Sequence, residues 1–105
     1  MMKTAELTGA ALDWAVSACI GIGWEMGDID ANEYGPGFKP STDWGDGGPI
    51  IEREMIDIQP LGNQYQGTQW RACGAFISPT PLIAAMRCFV FSKLGNEVEI
   101  PEGLA

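Results

Sequence analysis

The residues that could do chemistry are densest in residues 41–57, STDWGDGGPIIEREMID, which combine a tryptophan, three glycines and alternating charges. Asp43, Glu52 and Glu54 supply carboxylates that could act as general acid and base or hold Mg²⁺. Glu52 and Glu54 flank Arg53, and residues so close in sequence do not converge on one point. This spacing favours a solvated helix face over a catalytic pair.

The rest of the chain supplies few partners for catalysis. It contains no histidine, which is the commonest general base and metal ligand. Its three cysteines, Cys19, Cys73 and Cys88, are widely spaced and form no CxxC pair, so they do not predict a zinc site. Their apolar neighbours favour buried free thiols in a reducing cytosol. We therefore predict no catalytic residue, no metal ligand and no cofactor.

Binding is a second kind of chemistry that these residues could support. Trp44 and Trp70 could stack on a planar ring while Arg53 or Arg87 contacts an anionic group of the same ligand. The candidate residues for binding a ligand or a partner are Asp43, Trp44, Glu52, Arg53, Trp70, Thr80 and Arg87.

Composition limits the class of protein. The chain has 105 residues, of which 46% are hydrophobic and 19% charged, as expected for one small globular domain over residues 1–105. Its net charge is −8, and its six basic residues are scattered, which disfavours nucleic-acid binding. The N-terminal residues lack an apolar signal segment, and the longest apolar run, residues 72–92, contains two prolines and Arg87. We expect a cytoplasmic protein without a membrane span.

Residues 8–20 predict the first helix, with Thr8 as N-cap and Gly21 after its last turn. Apolar residues recur at helical spacing, and these are Leu12, Ala15, Val16 and Cys19. Asp13 and Ser17 are then expected on the solvent face.

Residues 79–94 predict the second main helix, capped by Thr80, with Pro81 in its first turn and Gly95 at its end. This helix is apolar nearly all round, which is typical of a helix at the centre of a domain or in an oligomer interface. We therefore expect a homodimer or a higher homo-oligomer. Arg87 either pairs with a carboxylate, contacts a ligand or lies exposed.

The segment between these helices predicts a short helix and strands. Pro49 suits the first position of a helix that ends near Glu54, with Gly48 as a permissive cap. Residues 55–59 and 69–77 read as two strands that pair in an antiparallel hairpin. The predicted fold class is α+β: two main helices, one short helix and an antiparallel hairpin or small sheet.

Three blocks resemble a known family. They are KTAELTGAALDWAV at residues 3–16, STDWGDGGPIIERE at 41–54 and PTPLIAAMR at 79–87. In the same order they are similar to the NinX-like family of small proteins from lambdoid phages and enterobacterial prophages. The resemblance implies a phage- or prophage-encoded accessory protein in the host bacterial cytoplasm. The family has no assigned activity, so the resemblance carries over no catalytic residue.

Two classes of function follow from these observations. The first is a non-enzymatic interaction module whose acidic surface complements a basic region of a host or phage protein; a variant of this class binds a nucleotide-like small ligand. The second is a carboxylate- or Mg²⁺-dependent small hydrolase that uses Asp43, Glu52 or Glu54. A purely structural role for residues 41–57, with their charges paired to Arg87, is the remaining alternative.

Overall fold

The computed structural model describes residues 2–20, 38–61, 69–100 and 103, which form three helices and two small antiparallel sheets. The helices are α1 (Gly9–Ile20), α2 (Trp44–Glu54) and α3 (Pro81–Leu94), and a 3₁₀ turn spans Thr4–Glu6. The strands are β1 (Met2–Lys3), β2 (Ile58–Pro60), β3 (Trp70–Ala72), β4 (Phe76–Ser78) and β5 (Glu97–Val98). The predicted α+β class is confirmed.

Helix α3 begins and ends where its capping residues predict. Thr80 adopts an extended conformation, and its hydroxyl accepts a hydrogen bond from the Ile83 amide at 3.2 Å. Pro81 follows in the first turn, where the missing N–H costs no helical hydrogen bond. At the other end Gly95 has a φ of 87°, and its amide donates to the Phe91 carbonyl at 2.9 Å.

The same helix lies at the centre of the fold. It contacts α1, α2, the 3₁₀ turn and strands β2 to β5. Its buried residues are Leu82, Ala84, Ala85, Met86, Cys88, Phe89 and Val90. A helix surrounded in this way needs apolar side chains on most of its circumference. The central position was one of our two explanations for the apolar sequence, and homo-oligomerisation stays a prediction.

Helix α1 packs against α3 through the largest apolar cluster. Leu12 and Val16 are fully buried there, together with Leu7 just before the helix and Phe89 of α3. The predicted C-terminal stop at Gly21 lies outside the described residues. Asp13 and Ser17 are 6% and 0% exposed, so their predicted place on the solvent face is wrong.

Helix α2 begins at Trp44 and not at the predicted Pro49. Asp43 is its N-cap, and the carboxylate accepts a hydrogen bond from the Gly45 amide at 2.8 Å. Gly45, Gly47 and Gly48 precede the predicted start at Pro49 but lie within the helix, and Gly47 permits close packing against neighbouring residues. A Cβ on Gly47 would lie 2.6 Å from Leu82 Cδ2 and closer still to the Pro40 carbonyl oxygen.

The strands are shorter than predicted. Met55 ends α2 in the left-handed conformation with a φ of 54°, so the strand predicted at 55–59 is found at Ile58–Pro60. The strand predicted at 69–77 is two strands, because Cys73 and Gly74 turn the chain with φ values of 54° and 75°. Strands β2, β3 and β4 form one antiparallel sheet in that order.

A second, two-stranded sheet joins both ends of the described chain. Met2 pairs with Val98 and Lys3 with Glu97. The Thr4 hydroxyl donates to the Gly95 carbonyl at 2.5 Å. These strands were not predicted, because two residues are too few to show an alternating pattern.

A disulfide joins Cys73 and Cys88, whose Cα atoms are 6.3 Å apart. The interpretation of all three cysteines as free thiols is therefore wrong for these two. The turn at Cys73 lies against α3, and the residues around each cysteine did not predict this contact between separate elements. Cys19 is free, and burial raises the pKa of its thiol to about 11.

No helix in the described part of the chain combines the length and the apolarity that crossing a membrane would require.

Candidate functional site

An open groove lies where the amino-terminal ends of α2 and α3 meet. We call it the Trp44 groove, and its volume is about 350 Å³. Its lining residues are Ser41, Thr42, Trp44, Thr80, Pro81, Leu82 and Ile83. Two of the predicted binding residues, Trp44 and Thr80, thus line the same space although they are far apart in sequence.

Trp44 is the most prominent side chain of the groove. It is the first residue of α2, and 54% of its surface is exposed. Gly48 lies one turn further along beside the indole, and a Cβ there would be in ordinary van der Waals contact with the Trp44 ring at 4.0 Å. Thr80 and Pro81 begin α3 on the other side of the groove.

The groove is neutral. None of the seven described residues that line it has an ionisable side chain, and their polar groups are hydroxyls, the indole N–H and backbone atoms. Acid–base chemistry needs a titratable group within hydrogen-bond reach of the substrate. The arrangement can therefore bind an apolar or planar group, but it offers no general acid or base.

A buried carboxylate holds the loop that precedes α2. Asp13 of α1 accepts a hydrogen bond from the Ser41 amide at 2.9 Å. Burial raises the pKa of the Asp13 carboxyl, and hydrogen bonding from Ser41 and the charge of Lys39 partly offset this effect. The Ser41 hydroxyl lies near enough to Asp13 to lower the pKa of the carboxyl. It forms no hydrogen bond of good geometry with any described residue.

Hydrogen bonds within residues 39–46 complete the support of the groove. The Lys39 carbonyl accepts from the Asp43 amide at 2.8 Å, and the Lys39 amide donates to the Asp46 carboxylate at 2.8 Å. Asp43, one of the predicted binding residues, therefore has a defined structural role as the N-cap of α2.

Arg53, Glu52 and Glu54 lie away from the groove at the other end of α2. Arg53 follows Trp44 by nine residues, which places it about 180° around an ideal helix. It lines a separate cleft of about 170 Å³ beside Ile50 and Pro49. Glu54 pairs with Arg53 at 3.3 Å and with Lys93 of α3 at 3.6 Å, and Glu52 is exposed.

The Arg87 side chain joins α3 to two other backbone segments. Its Nε donates to the Leu7 carbonyl at 2.7 Å, and its Nη1 donates to the Ile77 carbonyl at 3.4 Å. Burial lowers the pKa of its guanidinium group. The expected ion pair with Glu52 or Glu54 is not formed among the described residues, because these carbonyls occupy Arg87 while Glu54 pairs elsewhere.

Trp70 does not line the Trp44 groove. Strand β3 places it opposite Ser78 of β4, and the Ser78 hydroxyl accepts a hydrogen bond from the Thr80 amide at 3.2 Å. The two tryptophans therefore do not form the two walls of one stacking site. Across the described ranges, no three Cys, Asp or Glu side chains are grouped so that they could hold a metal ion.

The functional residue that sequence reasoning missed is Asp13. Its spacing placed it off the apolar stripe of α1, and only a contact with Ser41, 28 residues away, shows why it is buried. The Ser17 hydroxyl donates to the backbone carbonyl of Asp13 at 3.1 Å, a bond that any residue type at position 13 could accept, so the local sequence contained no signal for the buried carboxylate.

Comparison with known proteins identifies the family. No curated protein matches the chain at significant similarity. The profile of the family described as "Bacteriophage P22, NinX" matches residues 3–93, which include the Trp44 groove, Asp13 and both cysteines of the disulfide. Since this match covers most of the 105 residues, the chain belongs to the NinX family of bacteriophage proteins.

Proposed function

We propose that this phage protein is a non-enzymatic accessory module that binds a protein partner through the Trp44 groove in the host bacterial cytoplasm. The observation that carries the proposal is the half-exposed Trp44 over a groove whose described lining has no ionisable side chain. Such a surface offers contact area without the means for acid–base catalysis.

Tryptophan is the residue type most suited to this role. A buried indole contributes a large apolar surface and one hydrogen-bond donor, and tryptophans are enriched among the residues that dominate interface energies. The backbone of Trp44 lies in the first turn of a helix, so binding does not have to order the backbone that carries the indole. Loss of such an anchor costs roughly 2 kcal/mol or more, which corresponds to about thirtyfold weaker binding.

Charge favours a basic partner. The chain carries a net charge of −8, and the exposed Asp43 precedes Trp44 beside the groove. A partner surface with lysine or arginine around an apolar contact would be attracted to this region. We therefore expect association to weaken as ionic strength rises, because salt screens exposed charges.

The test compares three immobilised proteins in a host lysate: wild type, Trp44→Ala and Met55→Ala. Met55 is 87% exposed at the opposite end of α2, so its substitution is a matched control for loss of an exposed apolar side chain. A partner retained by wild type and Met55→Ala should be depleted by Trp44→Ala. The purified pair should then show the thirtyfold effect by calorimetry. Equal retention by Trp44→Ala would refute the proposal.

The geometry gives less support to the two alternative functions, which are binding of a nucleotide-like ligand and hydrolysis. A nucleotide-like ligand on Trp44 would meet neither Trp70 nor Arg87, and Arg53 lies on the far side of α2. The carboxylates of a hydrolase would have to act away from the groove. A panel of nucleotides that quenches Trp44 fluorescence, with the quenching lost in Trp44→Phe, would favour a small ligand over a protein partner.

A further inference from the structure

The Cys73–Cys88 disulfide joins an exposed turn to the buried side of the central helix. Cys73 is exposed between β3 and β4, whereas Cys88 of α3 is 6% exposed. We infer that this bond is a redox-labile clamp, which a low-molecular-weight thiol opens by attack at Cys73 and a disulfide oxidant closes. The site of modification is therefore Cys73, and its substrate class is thiols and disulfides such as glutathione.

Access selects the sulfur that reacts. Thiol–disulfide exchange requires a thiolate to approach one sulfur of the bond, and the incoming group needs room beside it. The turn Cys73–Ala75 is exposed at each of its three residues, and a Cβ added to Gly74 would meet nothing within 4 Å. Cys88 instead belongs to a small buried cluster with Ala72 and Ala84.

The clamp can open without dismantling the main core. The larger apolar cluster, which contains Leu12, Met86 and Phe89, includes neither cysteine. The turn is also held by backbone hydrogen bonds, from the Cys73 amide to the Asp57 carbonyl at 2.9 Å and from Ala75 to Ala72 at 3.1 Å. Opening therefore removes the covalent link between the β3–β4 turn and α3, while the helices keep their packing.

The third cysteine does not compete in this exchange. Cys19 lies half-buried on α1, and burial raises the pKa of its thiol to about 11. Very little of it is thiolate at neutral pH, and the thiolate is the attacking species.

Two glutathione molecules reduce the Cys73–Cys88 bond in two exchange steps. A glutathione thiolate attacks Cys73 Sγ, the Sγ–Sγ bond breaks, and Cys88 leaves as a thiolate that takes a proton from solvent. A second glutathione thiolate attacks the mixed disulfide on Cys73 and releases oxidised glutathione. The protein disulfide gains two electrons and two protons, and the two glutathione thiols lose them. Oxidised glutathione reverses both steps.

Whether this bond is formed depends on the redox state of the compartment. In the reducing cytoplasm proposed above, lasting structural disulfides are rare and those that form are typically transient or redox-sensing. The clamp would thus be open in most of the protein and closed under oxidation.

The test uses the full chain in glutathione buffers of increasing reduced fraction, quenched with an alkylating agent and analysed by mass spectrometry. We expect conversion between the closed and the dithiol state while far-ultraviolet circular dichroism stays constant. The mixed disulfide should reside on Cys73, and the Cys73 thiol should alkylate roughly tenfold or more faster than Cys88.

Two variants define the outcome. Cys19→Ser should exchange like wild type, whereas Cys73→Ser should form no mixed disulfide at position 88 in the folded state. A bond that resists millimolar reduced glutathione until the chain unfolds would overturn the proposal. So would a failure of oxidised glutathione to join the two cysteines, or glutathione found first on Cys88.

Discussion

At the scale of single residues, local sequence identified exposed anchors better than buried partners. Trp44 and Thr80 were selected for chemistry, and they line one groove. Asp13 and Arg87 were misjudged, because their partners are backbone groups of Ser41 and Leu7 that lie far away in sequence. Every residue type except proline has both a backbone amide N–H and a carbonyl, so a pairing with either group cannot be predicted from residue types.

The buried Asp13 predicts a specific dependence of stability on pH. Because burial raises the native pKa above the ordinary value of 3.8, the native state binds more protons than the unfolded state between these two values. The contribution of Asp13 to the free energy of unfolding therefore falls as pH rises through this window. Asp13→Asn keeps an oxygen acceptor for the Ser41 amide and does not ionise.

Urea unfolding of wild type and Asp13→Asn between about pH 4 and pH 7 measures this effect. The unfolding free energy of Asp13→Asn minus that of wild type should increase as pH rises. Asp13→Ala, which removes the acceptor, should cost about 1 kcal/mol or more. A difference between wild type and Asp13→Asn that stays constant with pH would contradict the assignment.

At the scale of elements, the sequence located α1 and α3 well, whereas the start of α2 and the bounds of the strands were predicted poorly. Thr80, Pro81 and Gly95 bounded α3 because each acts through neighbouring atoms of the same turn. The predicted start at Pro49 left the glycines of residues 45–48 outside α2, because the role of Gly47 in packing against Pro40 and Leu82 depends on tertiary structure. The break between β3 and β4 was missed because Cys73, a non-glycine residue, occupies the left-handed region.

Two neighbouring glycines of α2 should respond oppositely to alanine. Gly47→Ala places a Cβ against the Pro40 carbonyl and Leu82, so we expect a loss of about 1–3 kcal/mol in unfolding free energy. Gly48→Ala meets only the Trp44 ring at 4.0 Å and should gain up to about 1 kcal/mol from helix propensity. Chemical denaturation of both variants checks the pair. Equal effects would show that Gly47 is not a packing site.

The disulfide should stabilise the chain only when it is closed. Cys73 and Cys88 are separated by 15 positions, and closing a loop of this length contributes about 3 kcal/mol in the chain-entropy account. Without reductant, Cys73→Ser should therefore unfold about 3 kcal/mol more easily than wild type. With excess reductant the two should agree closely, since Cys73 is exposed. A deficit that persists in reductant would place the effect in packing and not in the bond.

At the scale of the whole molecule, the helix and strand patterns predicted the α+β class, and the apolar sequence of α3 predicted a helix that is covered on most sides. The chain itself supplies that cover from α1, α2 and the sheet. Phe91 and Leu94, which are 41% and 44% exposed, are the apolar residues that α3 leaves open. The sequence could not distinguish cover by the same chain from cover by a second copy, because both require the same apolar pattern.

Homodimerisation therefore becomes a prediction about the exposed end of α3. Light scattering should give about twice the 11.3 kDa mass of one chain if a second copy covers Phe91 and Leu94. Leu94→Lys should shift the mass toward the monomer, and a lysine in the last helical turn suits the helix dipole. Met55→Lys is the matched control and should not change the mass. A monomeric wild type would refute self-association.

The pairing of β1 with β5 has a consequence for rearranging the chain. Met2 and Val98 are partners in one small sheet, so a short linker could join the two ends of the described chain. A circular permutant opened at Met55, which is 87% exposed between α2 and β2, would keep all three helices and both sheets uninterrupted. Such a permutant would separate α2 from the β2–β4 sheet in sequence order while leaving their spatial relation unchanged.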